Sequence, residues 1–359
     1  LLRMTKFLTG LSVALIALLT AVVVLLSSMG QHLDRPVNLV GQQDLDANNR
    51  LKWTIETGSN LSEVNRRLFN RGILSKPKLM TRYAKLNNRA SIRAGSYWIT
   101  ADDSARSLLD KFNRGEVIQY QITFPEGWSF EQWQAQFDAV PQFAAESKQA
   151  VADLLEEAGV NVDHPEGWFF PDTYSYTSTD SRADILRRAH KKMRLELEQA
   201  WQGRDDNLPY SSAYDALIMA SIIEKETGLA AERDEIAGVF IRRLKTNMRL
   251  QTDPTVIYGL GDEYQGDIRR SHLKQRTAYN TYMINGLPPT PIAMPSAAAI
   301  DAALHPKPGS SLYFVARGDG GHYFSDSLEE HLRAVKKYQI NQRVQNYQSA
   351  PKALSESRK

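Results

Sequence analysis

The chain has 359 residues, 42% of them hydrophobic, enough to bury a sizeable core and to divide into two or three domains. Its 44 basic and 41 acidic residues leave a net charge of +3 with no basic block along the chain, so nucleic acid is not an expected partner. With no cysteine, disulfides, thiolate nucleophiles, iron–sulfur clusters and thiolate zinc sites are excluded.

From Phe7 to Leu26 the chain runs twenty residues without a charge. As a helix this stretch spans roughly 30 Å, the hydrocarbon thickness of a bilayer. A cleaved signal peptide has a shorter apolar region and a small-x-small site, of which Ser28-Met29-Gly30 is a poor version, so an uncleaved anchor is expected over residues 1–28. Arg3 and Lys6 precede it and favour a cytoplasmic tip. Everything after about residue 28 then lies on the extracytoplasmic side of the cytoplasmic membrane. Leu1-Leu2-Arg3 before Met4 reads as an alternative start codon or an over-extended start. Residues 29–50 are polar and irregular, a tether.

Residues 51–123 form a small module. Lys52–Glu56 reads as a strand, followed by a helix through Arg67 to Asn70 that Gly72 breaks, a helix over Lys76–Leu86 and a strand over Gly95–Thr100. Strand–helix–helix–strand at this size is similar to a LysM-type carbohydrate-binding module, in element order and length only. A helix over Ser104–Phe112 and a strand over Val117–Phe124 complete it.

Residues 124–345 read as a larger, helix-rich domain. Pro125-Glu126-Gly127-Trp128 recurs forty residues later as Pro165-Glu166-Gly167-Trp168, each a turn at a glycine. Helices Phe130–Phe137 and Lys148–Ala158 lie between the copies. Trp128 reads as core packing. For Glu166, Trp168 and Tyr174, an aromatic sugar platform beside a carboxylate competes with two packed turns. Helices follow over Arg182–Trp201 and Ala230–Lys245, and between them the stretch Ser211–Gly228. Met248–Thr255 reads as a polar loop, 260–278 as a surface excursion, and the proline-dense Gly286–Ile292 as a fixed loop. A helix over Ala297–Leu304, a hairpin of Leu312–Ala316 and His322–Ser325, and a closing helix from Leu328 to about Gln345 precede a polar tail, 346–359. The expected fold is α+β and helix-rich, with a transmembrane helix, a small module and a larger catalytic domain.

Within Ser211–Gly228, Ala216–Ile223 is almost wholly apolar around its circumference, the mark of a buried helix. Two acids then arrive together. Glu224 lies one turn beyond Ala220 and two beyond Leu217, so it continues an apolar stripe, while Glu226 points roughly 200° away. A carboxylate at the end of a buried helix loses hydration, so its pKa should rise and it can act as a general acid. The competing reading is a final helical turn whose acids pair with Lys225, Arg233 or Arg242.

The seven histidines show no ligand spacing, so no metal site is expected; there is also no Gly-x-Ser-x-Gly elbow and no glycine-rich phosphate loop, and no cofactor is expected. An acid on a buried helix beside loops rich in Gln, Asp, Asn, Tyr and Trp suits a neutral, hydroxyl-rich ligand such as a glycan.

Ala220–Thr227 (A-S-I-I-E-K-E-T), Arg249–Gly259 (R-L-Q-T-D-P-T-V-I-Y-G), Tyr279-Asn280-Thr281-Tyr282 and Gly286-Leu287-Pro288-Pro289 together resemble the YceG-like family, the endolytic murein transglycosylases. Glu166-Gly167 with Phe170–Tyr174 and the Leu312–Phe324 hairpin extend the resemblance to roughly residues 50–345. It implies a single-pass membrane enzyme that cuts peptidoglycan glycan strands internally and ends nascent strands, in association with peptidoglycan synthases. It puts the catalytic acid on Glu224. That group would protonate the oxygen between N-acetylmuramic acid and N-acetylglucosamine, then take the proton of the C6 hydroxyl as a 1,6-anhydro ring closes. Gln251, Asp253, Tyr279 and Asn280 are candidates for orienting the sugar or Glu224, with core hydrogen bonds the competing role. Asp253 or Glu166 remains open as a second carboxylate. Three alternatives stand beside this reading. One is a lysozyme-like hydrolase of the same bond, another a non-catalytic wall-binding protein, and the third a pyridoxal-phosphate lyase of small metabolites.

Overall fold

The computed structural model describes residues 2–146 and 148–341. The expected polar tail and the last residues of the expected closing helix lie outside them. The chain divides into two units, Leu1–Gln121 with Ser175–Asp180, and Ile122–Tyr174 with Ser181–Lys359. Helices and small sheets are mixed in both, an α+β architecture.

The first unit begins with α1 (Leu2–Leu33), whose stretch Val13–Leu33 has a mean hydropathy of 2.5. Then come β1 (Leu51–Ile55), α2 (Leu61–Asn70), α3 (Pro77–Leu86), β2 (Gly95–Ile99) and α4 (Ala105–Arg114). β1 and β2 pair antiparallel from Leu51↔Ile99 to Ile55↔Gly95, which puts Leu51, Trp53 and Ile55 on one buried face. Local chemistry sets the helix ends. Asn60 accepts a hydrogen bond from the Glu63 amide at the start of α2, Ser104 and Ser107 form a capping box on α4, and Gly115 closes α4 at φ 70°. Tyr97 and Phe112 meet edge-on at 4.9 Å in the core.

Residues 29–50 are not a free tether. Leu33, Val37 and Leu39 are buried in this unit's core, and the Val37 and Asn38 amides donate to the carbonyls of Asp103 (2.7 Å) and Ile73 (3.1 Å). Apolar residues scattered in a polar stretch carry no periodicity, so only packing reveals which of them are core.

The chain passes between the units within β3 (Tyr120–Thr123) and β4 (Thr173–Tyr176), two strands that pair. The larger unit adds α5 (Phe130–Asp138), α6 (Pro141–Ala144), α7 (Val151–Ala158), α8 (Arg182–Gln202), α9 (Ala213–Glu226), α10 (Ala230–Lys245), α11 (Asp253–Leu260), α12 (Arg270–Lys274) and α13 (Ala297–Leu304). The hairpin β5 (Tyr313–Ala316) and β6 (His322–Ser325) and then α14 (Leu328–Val335) close it, with a wide helical turn over Lys336–Asn341. Two stretches expected as loop are partly helical. Asp253 opens α11, where Pro254 occupies the first turn and its missing N–H costs nothing. α12 is a single turn inside 260–278.

α9 is the centre of this unit, packed by α8, α10, α11 and α13. All eight residues from Ala216 to Ile223 are buried. Ala216 and Ala220 share this core with Ala299, Ala302 and Ala303 of α13; such small side chains let two backbones approach closely. Gly167 in the second Pro-Glu-Gly-Trp turn has φ 83°, and a Cβ there would stand 2.4 Å from Pro291, so the turn seats directly on the proline-rich loop.

Candidate active site

α9 ends at Glu226, with Thr227 already extended (φ −143°, ψ 135°), one residue before the expected glycine stop. Its last turn sends two carboxyl groups to different places, as a separation of two residues requires. Glu224 Oε2 accepts from the Ser296 amide (3.0 Å) and the Ser296 hydroxyl (2.5 Å). Ser296 is the N-cap of α13 and also accepts from the Ala299 amide (3.2 Å). Glu224 thus puts a carboxylate at the positive end of α13 and ties that helix to α9. On its other side is the 125–128 turn, where a Cβ on Gly127 would come 3.5 Å from Glu224 Cγ. Desolvation first, and then the charge of Glu224, hold the Glu126 carboxyl above its ordinary range.

Glu226 borders a cleft of about 710 Å³. Gln251, Asp253, Tyr282, Arg243 and His322 also line it. Glu226 Oε2 accepts a 2.6 Å hydrogen bond from the Thr252 hydroxyl. Desolvation raises the Glu226 carboxyl above its ordinary range, the Thr252 bond opposes that, and the charge on Asp253 adds to it. The group can therefore hold a proton where an exposed glutamate has lost it, the property asked of a general acid.

The 249–255 segment is fixed from below by buried hydroxyls. The Thr252 amide donates to Thr281 Oγ1 (3.0 Å), Thr255 Oγ1 donates to the Thr252 carbonyl (2.7 Å), and Thr255 and Thr281 hydroxyls meet at 2.9 Å. Buried Arg243 donates from Nε to the Leu312 carbonyl (2.7 Å) and from Nη1 to the Leu250 carbonyl. Gln251 is held at φ 51°, a left-handed conformation that glycine tolerates and glutamine does not favour. Its amide donates to the Thr281 carbonyl (3.2 Å), which secures the strained backbone at the edge of the cleft.

Among the residues singled out from sequence, Gln251 and Asp253 reach the cleft, and Tyr282 donates to Asp253 Oδ1 at 2.7 Å. The others are engaged elsewhere. Buried Asn280 donates to the carbonyls of His272, Leu273 and Gln275 and accepts from the Tyr282 amide, so its amide group pins the loop. The hydroxyl of Tyr279 meets Thr290 Oγ1 at 2.8 Å, and its ring lies edge-on to Tyr258. Glu166 is 3% exposed and accepts from the Phe130 amide (3.0 Å) and the Tyr258 hydroxyl (3.1 Å). Its carboxyl is pushed up to about 7, by desolvation. Trp168 stacks on Tyr214 at 5.4 Å, and Tyr174 is buried with its hydroxyl donating to the Phe170 carbonyl (2.6 Å). Trp168, Tyr174 and Glu166 are each engaged in packing or hydrogen bonds of the fold, the packed-turn geometry.

Sequence reasoning did not single out Thr252, Tyr282 or His322. Thr252 and Tyr282 sit inside the quoted motifs, next to residues that were chosen. Only the fold brings His322, on a distant hairpin, to the cleft.

The profile of the YceG-like family matches residues 53–337. The chain belongs to the YceG-like family. An endolytic murein transglycosylase of Bacillus subtilis (strain 168) is 30% identical over 322 residues, covering 84% of this chain and 88% of its own length. Another, from Streptococcus pneumoniae (strain D39), is 29% identical over 331 residues, 82% of this chain, which spans 60% of that longer relative. A 2.6 Å crystal structure of a yceG-like protein from Listeria monocytogenes is 30% identical, covers 79% of this chain and 98% of its own, and superposes with a TM-score of 0.49. The family profile takes in the whole of α9, the 249–255 segment and the β5–β6 hairpin, the elements that build the cleft.

Proposed function

We propose that this chain is a lytic transglycosylase of peptidoglycan, cutting glycan strands internally between N-acetylmuramic acid and N-acetylglucosamine, with Glu226 as the proton donor. Family membership supports the reaction class. The observation that carries the residue is the cleft: Glu226 borders it with a raised pKa, while the carboxylate of Glu224 is engaged with Ser296. A cleft of about 710 Å³ lies within the roughly 300–1,000 Å³ common for ligand sites.

In this reaction Glu226 protonates the oxygen linking the two sugars as its bond to C1 breaks. The C6 oxygen of the muramic residue closes on C1, and its proton passes to an acceptor in the cleft. No water is consumed, and the new end is a 1,6-anhydro sugar. Asp253 favours a second reading, a hydrolase, because it puts another carboxylate in the same cleft.

Val13–Leu33, with a mean hydropathy of 2.5, supports a single-pass anchor in the bacterial cytoplasmic membrane. Arg3 and Lys6 before it support a fold on the extracytoplasmic side. The β1-α2-α3-β2 order with antiparallel pairing supports a LysM-like module that holds glycan. Enzymes that extend nascent strands at the membrane are the partners this placement suggests.

The test is mass spectrometry of products from purified glycan strands incubated with the wild type, Glu226→Gln and Glu224→Gln. Anhydro-ended fragments from the wild type and Glu224→Gln, with none from Glu226→Gln, are expected. Reducing ends would select the hydrolase, and an active Glu226→Gln would overturn the assignment.

A further inference from the structure

The reaction proposed above needs a proton acceptor for the C6 hydroxyl, and this inference rests on that reading. His322, on β6, borders the same cleft as Glu226. It is 7% exposed, and one carboxylate holds it twice. Glu232 Oε1 accepts from the His322 backbone amide at 2.9 Å, and Glu232 Oε2 meets ring Nδ1 at 2.8 Å. A carboxylate can only accept, so Nδ1 carries a hydrogen, and Nε2 is the ring nitrogen left for a proton transfer. Phe314 packs edge-on against the imidazole at 5.3 Å and restricts its rotation. Glu232 lies on α10, ninety positions before His322, so two separate elements build this pair.

A base whose ring hydrogen is fixed by a half-buried carboxylate is the arrangement by which many enzymes poise an imidazole to take a proton. We propose that His322 is a catalytic residue that receives the proton of the muramic C6 hydroxyl, while Glu226 supplies the proton to the leaving oxygen. The electron pair of the O6–H bond becomes available to O6 as it forms its bond to C1. The C1–O bond to N-acetylglucosamine breaks, with its pair going to that oxygen and to the Glu226 proton. His322 becomes an imidazolium facing Glu232, and Glu226 a carboxylate. Transfer of one proton between them through solvent restores both groups, so no other reactant is consumed.

The experiment uses the full chain in detergent and compares wild type, His322→Ala and His322→Gln on purified glycan strands. Gln keeps a donor toward Glu232 and tests whether the hairpin survives. Both variants are expected to lose about 100-fold or more in the rate of anhydro-end formation, the usual worth of a general base. Added imidazoles should rescue His322→Ala, and the rescued rate should rise with the basicity of the imidazole used. Rescue that ignores basicity, or His322→Gln within threefold of wild type, would overturn the proposal. Loss of the folded state in both variants would make the residue structural and overturn it as well. If the wild type itself yields no anhydro ends, the failure belongs to the reaction assigned above and not to His322.

Discussion

The Thr252 hydroxyl donates a 2.6 Å hydrogen bond to Glu226 Oε2, and this bond stabilises the charged form of the carboxyl that faces the cleft. Thr252→Val removes the donor but keeps the shape and the backbone bond to Thr281. The Glu226 pKa then rises further. A proton donor works below its pKa and fails as pH climbs through it, so the alkaline limb of the pH–rate profile moves to higher pH in the variant. An alkaline limb that stays in place or moves down would argue against Glu226 as donor.

Glu224 joins α9 to the first turn of α13 through Ser296. Glu224→Gln weakens two charge-assisted bonds, for an expected loss of about 1–3 kcal/mol in unfolding free energy. Turnover per folded molecule should stay within a few-fold of wild type. Unfolding curves and initial rates on the same preparation separate the two effects.

Glu166 is buried with a carboxyl pushed up to about 7 from a usual 4.5. Below pH 4.5 both folded and unfolded chains hold this proton. Between pH 4.5 and 7 only the folded chain does, and stability is lost as pH rises through that window. The shift corresponds to about 3 kcal/mol at 1.36 kcal/mol per unit. The difference in unfolding free energy between wild type and Glu166→Gln should therefore change across pH 4.5 to 7 and level off above it. Denaturant titrations at four or five pH values would show it, and a pH-independent difference would contradict it.

Gln251 is held at φ 51° on the rim of the cleft. Gln251→Gly removes the conformational strain, and stability should rise by about 1 kcal/mol or less, since glycine also frees the unfolded chain. Activity should fall because the side chain leaves the cleft. A variant that is both more stable and fully active would show that the strained geometry serves no ligand.

Much of this molecule is legible in the chain. Ala216–Ile223 announced a buried helix by having no polar face, and that is what α9 is. The strand–helix–helix–strand order of the first unit and the β5–β6 hairpin follow from short-range alternation and turn residues. Motifs around 220–227 and 249–259 resembled the YceG-like family, to which the chain belongs. Short elements were harder: α11 and α12 hold eight and five residues, too few for a helical period to stand out, and Pro254 masks the start of one of them.

The sequence by itself determined that two acids close a buried helix, and that they point to opposite sides. It could not say which side is open. Continuing the apolar stripe made Glu224 the natural choice, and the stripe is real. But α9 is packed on nearly every side, so a stripe marks no single face as the floor of a site. Only the tertiary structure shows what each one meets: Glu224 bonds Ser296 and lies against the 125–128 turn, whereas Gln251, Asp253, Tyr282 and His322 come from distant parts of the chain to border a cleft with Glu226. Helical periodicity fixes the angle between two neighbouring side chains, and packing by remote segments fixes which groups each of them meets.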